Sequence, residues 1–521
     1  MYKEIEKIVK ESARGLLEED FFSEIMVPSN PEYGDYSSNA PFKIAKITGG
    51  NPMEVAETIV KKIKESKDDR FKKIEGVSPG FINFTLSDSF LKKELLGIIS
   101  SGDSYGSNSN GKGRVVIIDY SSPNIAKQFG VGHLRSTIIG QSIYNILKFS
   151  GWKCIGDNHL GDWGTQFGKL IFQIKKNKLH NEIGELTLGE LEELYVAFHK
   201  DVKEDPEIEE EGRKWFKKLE DGDKEATRIW QSCVDTSIKE FNIMYDILGV
   251  KIDMALGESF YTKMTDDIVK EVKEKGIASE SKGALVVKFP DESLPPIILV
   301  KSDGTTTYLT RDLATIKYRI EKWDPDKIIY EVGNDQLLYF KQVFEIVKLM
   351  EWSKKASLVH IAHGLVRWKH GKFSTRKGET VHLEDILDET VRKTREIIER
   401  SEIIADISKE EKDEISRVAG IGAVKYNDLS QHYSRDILFD WEKMLNLKGN
   451  SSPYLQYTFA RANRVVERSG KKEVIDNFES IELSTREESI LRKIRLFPQV
   501  VEEAEKMLSP NVICNFLFSL S

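Results

Sequence analysis

Cysteine is scarce in this sequence: there are three, Cys154, Cys233 and Cys514, set far apart. No CxxC pair occurs. That excludes a disulfide scaffold, argues against a cysteine zinc site and reads as a cytoplasmic chain. Long apolar runs are missing too, and none approaches the roughly 18 residues of a membrane span. The opening stretch MYKEIEKIVKESARGLLEED alternates charge with Ile5, Ile8, Val9 and Leu16, the pattern of an amphipathic helix and not of a signal peptide. A basic surplus is absent, because the net charge is −8. Charge therefore gives no argument for a nucleic-acid partner, although a local field would suffice for one. Internal repeats and low-complexity tails are also lacking. What remains is an ordinary globular balance, 40% apolar and 31% charged over 521 residues. At about 150 residues per domain, that length suggests three or four units.

Residues 1–100 read as a small α/β unit. Helical periodicity runs to about Glu24, then covers roughly Ala40–Ile47, Met53–Lys67 and Asp88–Ile99, and GFINFTLSD reads as a strand. The Gly, Ser and Asn of SGDSYGSNSNGKG (101–113) predict a linker. RVVIIDYSSP (114–123) is a buried strand by its β-branched run, followed by a loop and a helix from about Gly132 to Phe149. A second strand and loop, WKCIGDNHLGD, come next. Residues 170–300 mix charged helices with the strand-like GALVVKF. DKIIYEVG, Gln336–Met350 and SLVHIAHGLV then give strand, helix and strand, and from about Leu383 nearly everything is helical in pattern. Two strand–helix blocks split by a long insertion predict one interrupted nucleotide-binding sheet.

Two glycine patterns are decoys. Gly106 to Lys112 fits GxxxxGK, but Gly113 stands where a hydroxyl residue is needed, and the stretch precedes a strand instead of following one. Gly420-Ile-Gly422 lies in a helical stretch and reads as helix packing. The strongest local signal is SSPNIAKQFGVGHLRST (121–137), where a buried strand ends and a helix begins. Ligands of open parallel sheets bind at the carboxyl ends of the strands, and a helix N-terminus suits phosphate. Gly130 and Gly132 would let backbone approach a base or phosphate. His133 can donate to a phosphate oxygen, and Lys127 brings a mobile charge. GDNHLGDWGTQFG (156–168) forms a ligand wall or an elaborate turn. Lys372-Phe-Ser-Thr-Arg376-Lys377-Gly378 can clamp a triphosphate or be a solvated basic turn. Glu258, Tyr308, Arg311, Asp312 and Gln336 are scattered polar residues in or near the second block.

Taken in order, SSPNIAK, GHLRST, GDWGTQFG, YLTRD, HGLV and KFSTRKG resemble a class I aminoacyl-tRNA synthetase, and in detail the arginyl-tRNA synthetase family. YGDYSSNAP (33–41) and GFINF (80–84) are similar to that family's extra N-terminal domain. SSPYLQYTFARA (451–462), with Tyr454 and Arg461, is similar to the start of its helical anticodon-binding domain. The resemblance implies an α/β N-terminal domain over 1–105 at the tRNA elbow and an interrupted Rossmann-type parallel-sheet catalytic domain over 114–385, with its insertion at about 170–300. It also implies an all-helical anticodon-binding domain over 386–521.

The resemblance further implies that Gly130, Gly132 and His133 form the ATP signature. His363, Gly364, Leu365 and Val366 would meet adenine, and Lys372, Ser374 and Lys377 the phosphates. Asn124, Glu258, Tyr308, Asp312 and Gln336 would surround substrate arginine. This is sensible chemistry, because a guanidinium carries five N–H donors and needs carboxylates in its plane. ATP with magnesium, arginine and tRNA(Arg) are the implied cofactors and partners. No metal-ligating residue is assigned, no membrane is involved, and a monomer is the default. Two departures stand out. Gly130 replaces the signature's first histidine, and Thr375 replaces a lysine. Lys127, Arg376 or Lys377 would have to supply the missing charge. The ending VICNFLFSLS falls within an apolar helical pattern, where similar proteins continue for further helices, so a truncated helical domain with a partly uncovered core is expected. The competing readings are a non-catalytic tRNA-binding paralogue and, more weakly, a small nucleotidyltransferase of the same fold.

Overall fold

The computed structural model describes residues 1–17, 24–180, 182–290, 293–368, 382–400, 407–470 and 481–521. The chain divides into two compact units. The first joins Met1–Gly106 to Ser469–Gln499, and the second comprises Ser107–Arg468 and Val500–Ser519.

In the first unit four antiparallel strands lie in the order Ile25–Met26, Tyr36–Ser38, Phe81–Leu86 and Phe71–Val77. Their inner face packs on the helices Tyr2–Ala13, Ala40–Thr48, Pro52–Glu65 and Asp88–Ser101, around Ile5, Ile44, Ile59, Ile82 and Phe84. Leu491, on the helix Thr485–Ile494, closes the same core. Arg492 of that helix donates to the buried carboxylate of Asp35, whose same oxygen accepts the Leu86 N–H at 2.7 Å. The Arg495 guanidinium lies 5.1 Å from the centre of the Tyr36 ring. The first helix ends at Ala13, well short of the expected Glu24, because the chain turns through Gly15 at φ +86°. The strand Phe71–Val77, FKKIEGV, is a sheet edge whose charged residues hid it from pattern reading.

The second unit is built on four parallel strands in the order Ser357–His363, Lys327–Gly333, Val115–Asp119 and Lys153–Asp157. Side chains alternate across a strand. Accordingly, Val116 and Ile118 enter one core while Ile117 enters the other, and the sheet is buried on both faces. The helix Val131–Phe149 links one pair of strands and Leu337–Leu349 the other. The two halves wind outward from the junction of Val115–Asp119 and Lys327–Gly333, and a crevice at the carboxyl ends of such a junction is where α/β sheets bind ligands.

Between the halves come the helices of 165–274 and a three-stranded antiparallel sheet, Ala278–Ser281, Ala284–Val287 and Ile297–Val300. Helices dominate after Leu383, with one exception. Ile437–Phe439 is a strand that pairs in parallel with Val366–Trp368. Part of the expected linker is packed rather than free. Gly111 lies so flat on Trp152 that a Cβ would sit 2.2 Å from the indole, and its N–H donates to the Ser150 carbonyl at 2.9 Å. Gly420 falls inside the helix Lys409–Leu429, facing the Val391 backbone, which agrees with helix packing.

Candidate active site

The strand register sets the floor of the site. Tyr330, Asp119 and Asp157 stand side by side across three strands, the two aspartates at the carboxyl ends of theirs. Two carboxylates directly opposite repel each other. Arg319, on the helix Tyr308–Trp323, lies between them and is fully buried. Its Nη2 donates to Asp119 at 2.7 Å and to Asp157 at 2.8 Å, and its guanidinium sits 5.3 Å from the centre of the Tyr330 ring.

Above this floor the loop after Lys153–Asp157 carries His159, whose Nε2 is 3.8 Å from a carboxylate oxygen of Asp312. Tyr339 donates its hydroxyl to the other oxygen of Asp312. The Leu160 carbonyl accepts the Glu258 N–H at 3.0 Å, which fixes Glu258 beside that loop. The Nε of Arg311 donates to Glu258 at 2.9 Å. Burial raises the pKa of both Asp312 and Glu258, against the opposing pull of His159 on Asp312 and of Arg311 on Glu258. Asn124 joins the same loop through an isolated bridge to Gly161. Tyr308 is 65% exposed at the start of the Arg319 helix, and Gln336 is exposed one turn before Tyr339.

The other wall is the loop 120–130. Ser121, Ser122 and Ala126 all have positive φ, at 75°, 47° and 59°. Such backbone costs on the order of 1–3 kcal/mol per residue and persists only where the surroundings over-determine it. They do so here. Ser121 N–H donates to the Ser136 hydroxyl, Ser122 N–H to Asn158, and Ala126 N–H to the Ser237 hydroxyl, at 2.9, 2.9 and 3.0 Å. The loop delivers Gly130 as the cap of the helix Val131–Phe149, with Gly132 and His133 in its first turn. The Gly130 N–H donates to His133 Nδ1 at 3.2 Å, so the proton of the neutral ring lies on Nε2. Burial, aided by the charge of Lys127, lowers the His133 pKa and favours that neutral form. Lys127 itself lies over the Tyr195 ring, 5.4 Å from its centre.

His363 Nδ1 is 2.9 Å from the Glu331 carboxylate. Gly364 and Leu365 have both their N–H and C=O groups bonded within the protein. Lys372, Ser374, Thr375, Arg376 and Lys377 lie outside the described residues. The segments flanking them are fixed, since Arg135 donates to the Gly364 carbonyl and the Leu383 N–H donates to the Phe129 carbonyl at 2.7 Å. Tyr454 and Arg461 lie on the helix Ser452–Ser469, remote in sequence from this crevice. Tyr454 is half-buried near Phe518, and Arg461 is exposed.

The structure thus brings together Asn124, Glu258 and Asp312, and it sets Gly130, Gly132 and His133 at the same carboxyl edge of the sheet. Sequence reasoning did not assign His159, Tyr339, Asp119, Asp157 or Arg319 to the site. Asp157 and His159 stood in a loop already singled out, but no spacing rule marks the others.

A model of the catalytic domain of class I tRNA synthetases (R) matches residues 94–441, one of the arginyl-tRNA synthetase N-terminal domain matches 3–86, and one of the DALR anticodon-binding domain matches 455–521. The chain belongs to the arginyl-tRNA synthetase family. An arginine–tRNA ligase of Clostridium perfringens is 43% identical over 472 residues, which span 90% of this chain and 82% of the relative. That of Clostridium acetobutylicum is 39% identical over 521 residues, 99% of this chain and 90% of the relative. Among solved structures, arginyl-tRNA synthetase from Plasmodium falciparum superposes with a TM-score of 0.81 at 28% identity, covering 100% of this chain and 90% of that one. The Thermus thermophilus arginyl-tRNA synthetase, at 21% identity, TM-score 0.79 and the same coverage, shares the fold.

Proposed function

We propose that this chain is an arginine–tRNA ligase, which activates arginine with ATP to arginyl-adenylate and passes the arginyl group to the 3′ end of tRNA(Arg). The observation that carries this reading is the charge balance of the pocket. Asp119, Asp157, Glu258 and Asp312 supply carboxylates, and among the described residues Arg311 and Arg319 are the arginines bonded to them, with the His159 imidazole 3.8 Å from Asp312. With the four acids ionised and that imidazole neutral, two negative charges remain for an incoming cation. A flat guanidinium with five donors fits that demand.

An oxygen of the arginine carboxylate attacks the α-phosphorus of ATP, the α–β bridging bond breaks, and pyrophosphate leaves. A terminal ribose hydroxyl of tRNA, the 2′ by resemblance to class I, then attacks the activated carbonyl and AMP leaves. The protein positions these groups and stabilises growing charge. Glu258 and Asp312 hold the guanidinium and Tyr339 orients Asp312. Tyr308 packs on the planar guanidinium, and Asn124 and Gln336 bind the polar groups of the amino acid. His133 Nε2–H faces phosphate from a helix N-terminus, with Gly130 and Gly132 beside it. His363 to Val366 take adenine, and Lys127, Lys372, Ser374 and Lys377 serve the phosphates. No group of three or more His, Cys, Asp or Glu among the described residues is disposed to hold a metal ion. By resemblance, magnesium is assigned to ATP, as the counter-ion of its outer phosphates. Residues 1–105 reach the tRNA elbow, and 386–521, with Tyr454 and Arg461, take the stem and anticodon.

Among the described residues no helix is long and apolar enough to cross a membrane. The enzyme is read as a cytoplasmic monomer. No observation favours the non-catalytic paralogue. Pyrophosphate exchange and charging with ATP, tRNA and arginine, lysine or citrulline test the reading. Arginine alone should support both. Absent arginine-dependent exchange, or equal exchange with neutral citrulline, would overturn it.

A further inference from the structure

Arg135 stands two residues beyond His133 on the same helix and is 1% exposed. Its five N–H groups meet five acceptors. Nε and Nη2 form a fork on the Asp428 carboxylate, both at 2.9 Å. The second Nη2 proton reaches the Tyr433 carbonyl at 3.1 Å. Nη1 donates to the carbonyls of Gly364 at 2.6 Å and Arg435 at 2.9 Å.

The acceptors come from two stretches of chain. One is 428–435, at the end of the helix Lys409–Leu429. The other is Gly364, just past the strand Ser357–His363. The two stretches are bonded to each other as well. Gly364 N–H donates to the Tyr433 carbonyl at 3.0 Å, and Leu365 N–H to the Asp436 carboxylate at 2.8 Å. A Cβ on Gly364 would lie 2.6 Å from the Arg435 backbone, so the close approach needs glycine. The segment 364–366 therefore leaves the sheet and is placed by Arg135 and by residues 428–437.

We propose that Arg135, held by Asp428, is a positioning residue for ATP. It sets the spacing between the helix N-terminus that presents His133 and the backbone of 364–366. The inference rests on the reading of those two segments as the nucleotide site. A lysine at 135 keeps the charge but offers three donors on one atom, and it cannot serve Asp428, Gly364, Tyr433 and Arg435 together. Replacing both partners by apolar residues of similar volume removes the buried charges without stranding either one.

The test uses the full chain and compares Arg135→Lys with the double variant Arg135→Met/Asp428→Leu. Both should raise the Michaelis constant for ATP in pyrophosphate exchange tenfold or more and leave that for arginine within twofold. A purely structural role would lower the active fraction, and so kcat, with both constants unchanged. Calorimetric titration with ATP should show the same weakening without any turnover. If Arg135→Lys is poorly folded, the double variant carries the test, its melting temperature showing whether the fold is kept. Wild-type ATP affinity in a folded variant, or equal rises for ATP and arginine, would overturn the proposal. Wild-type chain that binds ATP alongside such an unaffected variant leaves the nucleotide reading standing. Wild-type chain that binds no ATP refutes both.

Discussion

Asp312 answers two opposing demands. Burial pushes its carboxyl toward the neutral acid, whereas an arginine side chain needs it charged. Asp312→Asn should therefore raise the Michaelis constant for arginine by about 10²–10⁴-fold, since stripping one partner from a desolvated ion pair costs roughly 3–5 kcal/mol. The constant for ATP should hardly move, and steady-state kinetics with each substrate varied separates the two. Tyr339→Phe removes one donor to Asp312 and should cost about 1 kcal/mol, less than tenfold. The pH dependence follows from the sign of the shifts. A carboxyl raised by folding binds its proton more readily in the native state, so the empty enzyme loses stability as pH rises through that range. Arginine binds the ionised pair. The melting-temperature gain from added arginine should be full near neutrality and fade on acidification, beginning above the ordinary carboxylate range of about 4. Calorimetric melting with and without arginine at stepped pH checks this. Asp312 and Glu258 were named in the sequence through resemblance alone. Tyr339 and His159 were not, because their roles arise from contacts between separate loops, and no local period encodes such contacts.

Elements were easier to read than their partners. The β-branched runs of Val115–Asp119, Lys327–Gly333 and Ser357–His363 announce buried strands, and the structure places them side by side. The register that sets Asp119 against Asp157 is a property of pairing and is invisible in either strand alone. It makes Arg319 necessary. Arg319→Met should destabilise the second unit by about 3–5 kcal/mol, because two adjacent buried carboxylates lose their shared counter-charge. Urea unfolding followed by tryptophan fluorescence measures it. Gly364→Ala should cost about 1–3 kcal/mol by overpacking against Arg435 in the same assay. The strand Ile437–Phe439 escaped notice because three residues between helices carry too little pattern.

At the scale of the molecule, contacts cut across linear order. A chain read from left to right suggests consecutive domains, yet residues 469–499 complete the unit begun by 1–106. Nothing in the helical pattern of Thr485–Ile494 names the sheet it covers. Arg492→Ala should weaken the first unit, since Asp35 then keeps its place in the interior without its guanidinium partner. Hydrogen exchange should rise in the strands Tyr36–Ser38 and Phe81–Leu86 and stay unchanged in the parallel sheet of the second unit.

That late contribution from Leu491 and Arg492 also bears on how the polypeptide is born. Ribosomes add about 5–20 residues per second, so roughly 20–80 s separate the emergence of Gly106 from that of Leu491. Throughout that wait the nascent N-terminal unit carries an uncovered apolar seat and a lone acid at Asp35. It becomes whole only once Leu491 and Arg492 have emerged, which makes its completion a built-in report that the parallel-sheet unit lying between in sequence has been synthesised.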